Sequence, residues 1–335
     1  MPEHPSDWAA WPEDFGYKGP VRVLVTGGAG FIGSHVVDAL LAQGHEVSVL
    51  DNLSSGRREN VPAGVKLYEI DLRDRAATAR AVLDFRPGAV SHQAAQASVA
   101  ISVRDPHLDA DVNVLGGLNL LDACTASGVA VERVVFASTG GAIYGEVPDP
   151  ERASESTLPA PQSPYAIHKH TFEQLLGAYG RYRDLGSTVL RYANVYGPRQ
   201  DPHGEAGVVA IFFDKARAGQ PLRVNARQRP GDDGCVRDYV FVTDVARANV
   251  LALSGSLKER LLNVASGIGT TTRELATTIL ASVGDGKPLE FAPTRAGDLE
   301  RSVLDPTLVE RYLGRLVPLA DGLRQTHDFY ASRGA

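Results

Sequence analysis

Cysteine is nearly absent from the chain: two in 335 residues, Cys124 and Cys235, with neither CxxC nor Cys/His spacing. That excludes a disulfide framework and a thiolate zinc site, and it fits a reducing, cytoplasmic setting. A basic excess is also missing, since Lys and Arg number 34 against 40 Asp and Glu, for a net charge of −6. Nucleic-acid partners call for a strongly basic balance or stripe, so that class is set aside; anionic ligands must meet locally placed cations or backbone N–H groups. No stretch approaches the roughly eighteen uninterrupted apolar residues of a membrane helix, and no membrane partner is expected. Met1 to Gly19 lacks the basic start and apolar run of a secretory signal, and it reads as an extension ahead of the fold, with Trp8 and Trp11 packing it onto the body. Internal repeats and low-complexity segments are absent. What remains is an ordinary globular composition, 43% apolar and 22% charged, long enough for one α/β domain and a smaller partner.

Strand-like runs at Val21–Val25, Glu46–Leu50, Val65–Ile70, Ala89–His92, Arg133–Ser138 and Thr188–Arg191 alternate with stretches of helical periodicity. Such alternation predicts an α/β fold with a doubly wound parallel sheet covered on both faces. After about residue 195 the pattern loosens into Pro/Gly-rich loops at 196–204, 228–235 and 292–299, where ligand contacts on a rigid scaffold are expected.

Gly27-x-x-Gly30-x-x-Gly33 sits between the first strand and the first helix. Its spacing is not GxGxxG, yet glycines there serve the same need: a tight turn, close approach to a pyrophosphate, and a helix N-terminus with free N–H groups. Alone the triplet could be an ordinary turn. Asp51, at the end of the second strand about twenty residues on, supplies the carboxylate that accepts hydrogen bonds from an adenosine ribose and repels a 2′-phosphate, so NAD is expected rather than NADP. Arg57 and Arg58 lie beyond the strand end and read as solvated surface.

Tyr165 and Lys169 form YxxxK, and i, i+4 spacing puts both on one face of the helix that Ser163-Pro164 starts. An ammonium beside a phenol stabilises the phenolate, which can then act as a base. By itself the pentapeptide is common by chance. Ser138 and Thr139, at the carboxyl end of a parallel strand where open α/β sheets place ligands, turn it into a constellation of hydroxyl, phenol and amine.

With these motifs in place, the chain resembles the extended short-chain dehydrogenase/reductases, and among them the UDP-glucose (UDP-galactose) 4-epimerases. The matching stretches are Thr26–His35, Asp51–Leu53, Asp71–Arg73, His92–Gln96, Ser138–Gly145, Ser163–Ala166, Arg191–Arg199, Gly234–Tyr239 and Arg295–Asp298, in the family's order from residue 21 to about 320. The resemblance implies an N-terminal extension (1–19), an NAD-binding Rossmann domain (20–190) that includes the Tyr/Lys helix, and a smaller α/β nucleotide-sugar domain (mainly 191–335) with some segments returning to the first. It implies that Gly27, Gly30, Phe31, Ile32 and Gly33 surround the pyrophosphate, that Asp51 and Asn52 meet the ribose, and that Asp71 and Leu72 hold the adenine. Gln93, Ala94, Ala95, Gln96, Asn113, Ser138, Tyr165, Lys169 and Tyr192 would lie along the cofactor. Asn194, Val208, Arg237, Arg295 and Asp298 would contact the UDP-sugar, and guanidinium forks at Arg237 and Arg295 suit a pyrophosphate.

The reaction implied is C4 epimerisation. Tyr165 removes the 4-hydroxyl proton, Lys169 holds the phenolate and the cofactor ribose, and Thr139 hydrogen-bonds the 4-oxygen. A transient 4-keto sugar turns about its pyrophosphate, and NAD is retained rather than consumed. One departure matters: counted back from the glycine–tyrosine pair, the third hydroxyl position of many family members is Gly140 here, so the role falls to Thr139 or Ser138, with Thr139 favoured. Ser302, four residues past Asp298, stands where the family carries a tyrosine or a small residue beside the sugar C2 group, so UDP-GlcNAc and UDP-GalNAc are expected to be accepted too. The resemblance also implies a homodimer through helices of the cofactor domain.

Rival readings are a UDP-glucuronate 4-epimerase, a nucleotide-sugar 4,6-dehydratase, disfavoured because Gly140-Gly141 follow Thr139 where an acid and a base are needed, and a non-catalytic NAD-binding protein, which would be free to lose Tyr165 or Lys169. Asp201, His203 and Glu205 read as a polar loop rather than a metal site. His168 is expected to point away from the catalytic pair, and Cys124 to be core.

Overall fold

The computed structural model describes residues 19–203, 207–284, 288–295 and 297–332. Trp8, Trp11 and Glu205 lie outside them. The first half runs β1 (Arg22–Thr26), α1 (Phe31–Ala42), β2 (Glu46–Asp51), β3 (Lys66–Glu69), α2 (Arg75–Phe85), β4 (Ala89–His92), α3 (Val99–Arg104), α4 (Pro106–Ala110), a π-helical segment (Asp111–Gly116), α5 (Gly117–Cys124), β5 (Arg133–Thr139), α6 (Gly140–Ile143), α7 (Pro164–Arg183) and β6 (Gly186–Tyr192). The second runs β7 (Asn194–Tyr196), α8 (Val208–Arg217), β8 (Arg223–Asn225), β9 (Val236–Phe241), α9 (Val242–Ser254), β10 (Leu261–Val264), β11 (Gly269–Thr271), α10 (Thr272–Val283), β12 (Glu290–Ala292), β13 (Arg301–Ser302), α11 (Thr307–Leu313) and α12 (Leu319–Ser332).

The six strands expected from the sequence are β1 to β6. Together with β10 they form a seven-stranded sheet, ordered β3-β2-β1-β4-β5-β6-β10 and parallel throughout. Alternation along each strand divides its side chains between two cores. Val23, Val25 and Val135 face α1 and α9, while Leu24, Val90, Val134 and Phe136 face α2, α5 and α7. This period-two sorting between two helical layers is why the strands read as near-continuous apolar runs. β10 was not among the strands expected from the sequence; it pairs in parallel with β6 at the edge of the sheet. Cys124 is buried in the α2/α5/α7 core, and burial pushes its thiol up to about 12.

A smaller sheet is built on β9, which pairs with β11 on one edge and β13 on the other, and over Tyr239–Phe241 with β7. With the two-stranded β8–β12 unit it packs on α8, α10 and α12 around Phe212, Phe213, Phe241 and Leu275. Among the described residues no helix is long and apolar enough to cross a membrane.

Two histidines are buried where the halves and strands meet. His35 on α1 has Nε2 2.9 Å from the Pro198 carbonyl, and His92 at the end of β4 has Nδ1 2.7 Å from the Thr26 hydroxyl. Burial drives both down to about 3, reinforced by Arg199 at His35 and by Lys169 at His92. The unfolded chain therefore binds two protons below about 6.5 that the folded chain refuses until about 3. Stability is full above 6.5 and falls as pH drops, approaching about 2.7 kcal/mol per pH unit for the pair. Urea unfolding at pH 6.5 and 5.5 should show a clear loss of midpoint at the lower pH; an unchanged midpoint would contradict the assignment.

Candidate functional site

The chain reverses direction at the carboxyl end of β1. Gly27 has φ 69°, and a Cβ there would lie 2.5 Å from the Ala94 nitrogen. A Cβ on Gly33 would meet the Gly27 carbonyl oxygen at 2.1 Å. Both positions require glycine, because the turn, α1 and the loop after β4 converge. Gly30 is the N-cap of α1 and no side chain caps the helix, so the first-turn N–H groups of Phe31 and Ile32 are left for an anion, which the helix dipole favours. β1 lies between β2 and β4, where the strand order reverses and open α/β sheets bind ligands. The turn fits a dinucleotide pyrophosphate.

Asp51 ends β2. Its buried carboxylate accepts the Ala29 N–H at 3.0 Å and the Leu53 N–H at 2.8 Å, and burial raises its pKa against the pull of those two bonds. Each oxygen keeps a lone pair for a ribose hydroxyl. Arg57 pairs with Asp201 at 2.8 Å and Arg58 with Glu69, both arginines on the surface, so the nearby cations are neutralised by carboxylates, as NAD rather than NADP requires. Exposed Asn52 donates to Asp71 at 3.0 Å. Arg73 forks onto the same carboxylate at 3.0 and 2.8 Å and holds it well below the usual range. Leu72 is buried, and its carbonyl accepts from Asn119 at 2.9 Å.

Across the turn, the side chains of Gln93 and Tyr192 point into a buried network. Gln93 donates to Asn249 on α9 at 2.8 Å, and Asn249 donates to the Tyr192 hydroxyl at 2.7 Å; burial pushes that hydroxyl up to about 12. The Ala94 N–H donates to Thr26 Oγ1 at 3.3 Å, and Ala95 is half-buried. Gln96 and Asn113 exchange reciprocal bonds, N–H to Oδ1 at 3.1 Å and Nδ2 to carbonyl at 2.9 Å. Both also donate to Asp109. Asn113 lies in the π-helical segment, a distortion common at functional sites.

Ser163 Oγ accepts the Ala166 N–H at 3.3 Å and Pro164 opens α7, the start expected from the sequence. Tyr165 is half-buried and Lys169 buried, its Nζ 4.3 Å above the Phe136 ring. Burial lowers the Lys169 ammonium to about 7 while the carboxylates of Glu173 and Asp109 pull it back up. His168 turns towards α4, with Nδ1 2.6 Å from Asp109. Thr139 ends β5 half-buried. Ser138 is buried, and its hydroxyl donates to Glu173 at 2.6 Å. A Cβ on Gly140 would lie 2.3 Å from Leu304 Cδ1, so that position faces the core, and the hydroxyl free of such commitments is that of Thr139.

In the second half, Arg237 on β9 stands in register between Thr270 on β11 and Ser302 on β13. Ser302 is buried with no partner for its hydroxyl. Arg295 forks onto Asp298 at 3.0 and 2.7 Å and lines a cavity of about 380 Å³ with Arg223, Asn225, Pro293 and Thr294. Asn194 donates to the Asp238 carbonyl at 3.0 Å, and Val208 opens α8 half-buried. Glu146 accepts the N–H groups of Glu300 at 2.7 Å and Arg301 at 3.1 Å, bracing the segment between Asp298 and Ser302. Arg223, Asn225, Glu146, Asp109 and Glu173 were not legible as site residues; of these only Glu173 carries a signal, a second i+4 step beyond Lys169. Asp201 is engaged with Arg57 and the His203 N–H, and no metal-holding group of three appears among the described residues.

Residues 23–265 match the NAD dependent epimerase/dehydratase family. The UDP-glucose 4-epimerase of Mycolicibacterium smegmatis is 44% identical over 320 residues, 93% of this chain and 99% of its own length. A solved UDP-glucose 4-epimerase of Thermus thermophilus, in complex with NAD, superposes with TM-score 0.89 at 57% identity, covering 94% of this chain and 99% of that one. The Thermotoga maritima UDP-glucose 4-epimerase with UDP-glucose superposes with TM-score 0.86 at 44% identity, covering 93% and 99%.

Proposed function

This chain belongs to the NAD dependent epimerase/dehydratase family, and on that premise we propose that it is a UDP-glucose 4-epimerase that interconverts UDP-glucose and UDP-galactose with NAD as a retained cofactor. The observation that carries the reading is the buried Lys169 one helical turn after Tyr165, on a helix packed against the strand that ends in Thr139. Bound in the cleft, NAD⁺ supplies a reversible redox partner for C4 of the sugar. Tyr165 takes the 4-hydroxyl proton and returns it, a role that suits a half-buried phenol beside an ammonium. The Lys169 ammonium, lowered by burial to about 7, holds the phenolate charge. Thr139 hydrogen-bonds the 4-oxygen. Arg237 and Arg295 meet the pyrophosphate, Arg295 already oriented by Asp298, with Asn194 and Val208 beside the nucleotide-sugar.

Tyr165→Phe should lower kcat by about 10²–10⁴, measured with UDP-galactose and no added NAD, and near-normal turnover would remove the base. Run in parallel, turnover of UDP-glucuronate alone would move the reading to that substrate.

Ser302 is the small residue beside the sugar C2 position, which leaves room for an N-acetyl group. Ser302→Tyr should abolish UDP-GlcNAc epimerisation while sparing UDP-galactose, and equal loss with both would count against this placement.

We further assign a homodimer in a cytoplasmic setting, in line with the free thiols Cys124 and Cys235. Val99, Val103, Leu115 and Ile167 are exposed apolar residues on α3, the π-helical segment and α7, elements that pack together. A shared face of this kind suits a second copy. Val103→Glu with Leu115→Glu should convert a dimer to a monomer in sedimentation velocity; a monomeric wild type would refute the assignment.

A further inference from the structure

Resting on the epimerase reading, we propose that Glu173 is a positioning residue that fixes the Thr139 end of β5 against the Tyr165–Lys169 face of α7. Glu173 lies four residues after Lys169 and eight after Tyr165, on the same helical face. Its buried carboxylate accepts from Ser138 Oγ at 2.6 Å, and from Arg191 Nε at 3.0 Å and Nη2 at 2.6 Å. Ser138 and Arg191 are register partners on β5 and β6, and the next pair is Thr139 and Tyr192. One carboxylate therefore holds both strands one residue short of the reacting end, while the residue four positions before it on α7 is Lys169. The clamp continues outward: the Arg191 guanidinium lies 4.9 Å from the Tyr144 ring centroid, and the Tyr144 hydroxyl donates to Asn263 on β10 at 2.8 Å. His170 Nδ1 sits 3.2 Å from the second Glu173 oxygen.

Stability alone does not call for this arrangement. Phe172 and Leu176 already pack α7 onto the sheet, and a buried ion pair is often no more stable than an apolar replacement of similar volume. What charge-assisted, bidentate bonds add is direction. Ser138 belongs to this clamp rather than to the sugar.

Ser138→Ala, Glu173→Gln and the double variant are compared with the wild type on UDP-galactose, reading kcat, KM, the isotope effect of deuterium at C4, NAD content and Tm. Misplacement of reacting groups on the ångström scale costs on the order of 10- to 100-fold in rate. The expected result is a kcat loss of about that size in each single variant, with KM within about twofold, a larger isotope effect and unchanged NAD content. The double variant should be no slower than Glu173→Gln, because both changes open one clamp. Ser138→Ala keeps the Arg191 pair intact, so it decides the matter alone if Glu173→Gln does not fold. A lowered Tm with wild-type kcat would make Glu173 merely structural and overturn the inference. So would additive losses, which would place Ser138 on the substrate. A wild type inert towards UDP-galactose would sink the epimerase reading itself, and the inference with it.

Discussion

The governing constraint in the molecule is the approach of the turn after β1 to the loop after β4 and to α1. At Gly27 there is no room for a methyl group, and at Gly33 there is less. That closeness sets the start of α1 beside the strand-order reversal, so the helix dipole and its uncapped N–H groups meet the place where a twisted parallel sheet opens a crevice. From there the rest is placed by register. Asp51 stands at the end of the neighbouring strand, Thr139 ends β5 two strands away, and α7 brings Tyr165 and Lys169 under it.

Charge is handled by burial rather than by abundance. An acidic chain buries one lysine under its proposed base and surrounds it with Glu173 and Asp109, each tied to several donors. Neither carboxylate is free to swing towards the ammonium and neutralise it as a salt bridge would. The same economy holds at the far end, where Asp298 holds the Arg295 guanidinium in a two-pronged pair.

The cofactor half was legible because its physics is local. Parallel strands buried on both faces are apolar runs, and the glycine turn and Asp51 sit at fixed offsets from them. YxxxK is visible because i, i+4 residues share a face. Glu173 repeats that offset, but a carboxylate on a helix reads as solvated surface until a partner such as Arg191 is known to lie beneath it. At the hydroxyl position β5 ends in Thr139, and the next residue, Gly140, packs on Leu304. Gln93 and Tyr192 also join a buried network with Asn249 on α9, which no pattern within either segment announces. β8 and β13, at three and two residues, are too short for any periodicity.

The order in which the sheet is completed has a consequence for biosynthesis. β10 closes the outer edge beside β6, and α9 covers the face that Val23, Val25 and Val135 present. Both come from beyond residue 241. A nascent chain that has emerged only as far as Tyr192 carries every proposed catalytic side chain, but one face of its sheet is covered by α1 without α9 and β6 is an unpaired edge, features that recruit neighbouring polypeptides. The first half thus completes its burial only when the chain through Val264 has joined it.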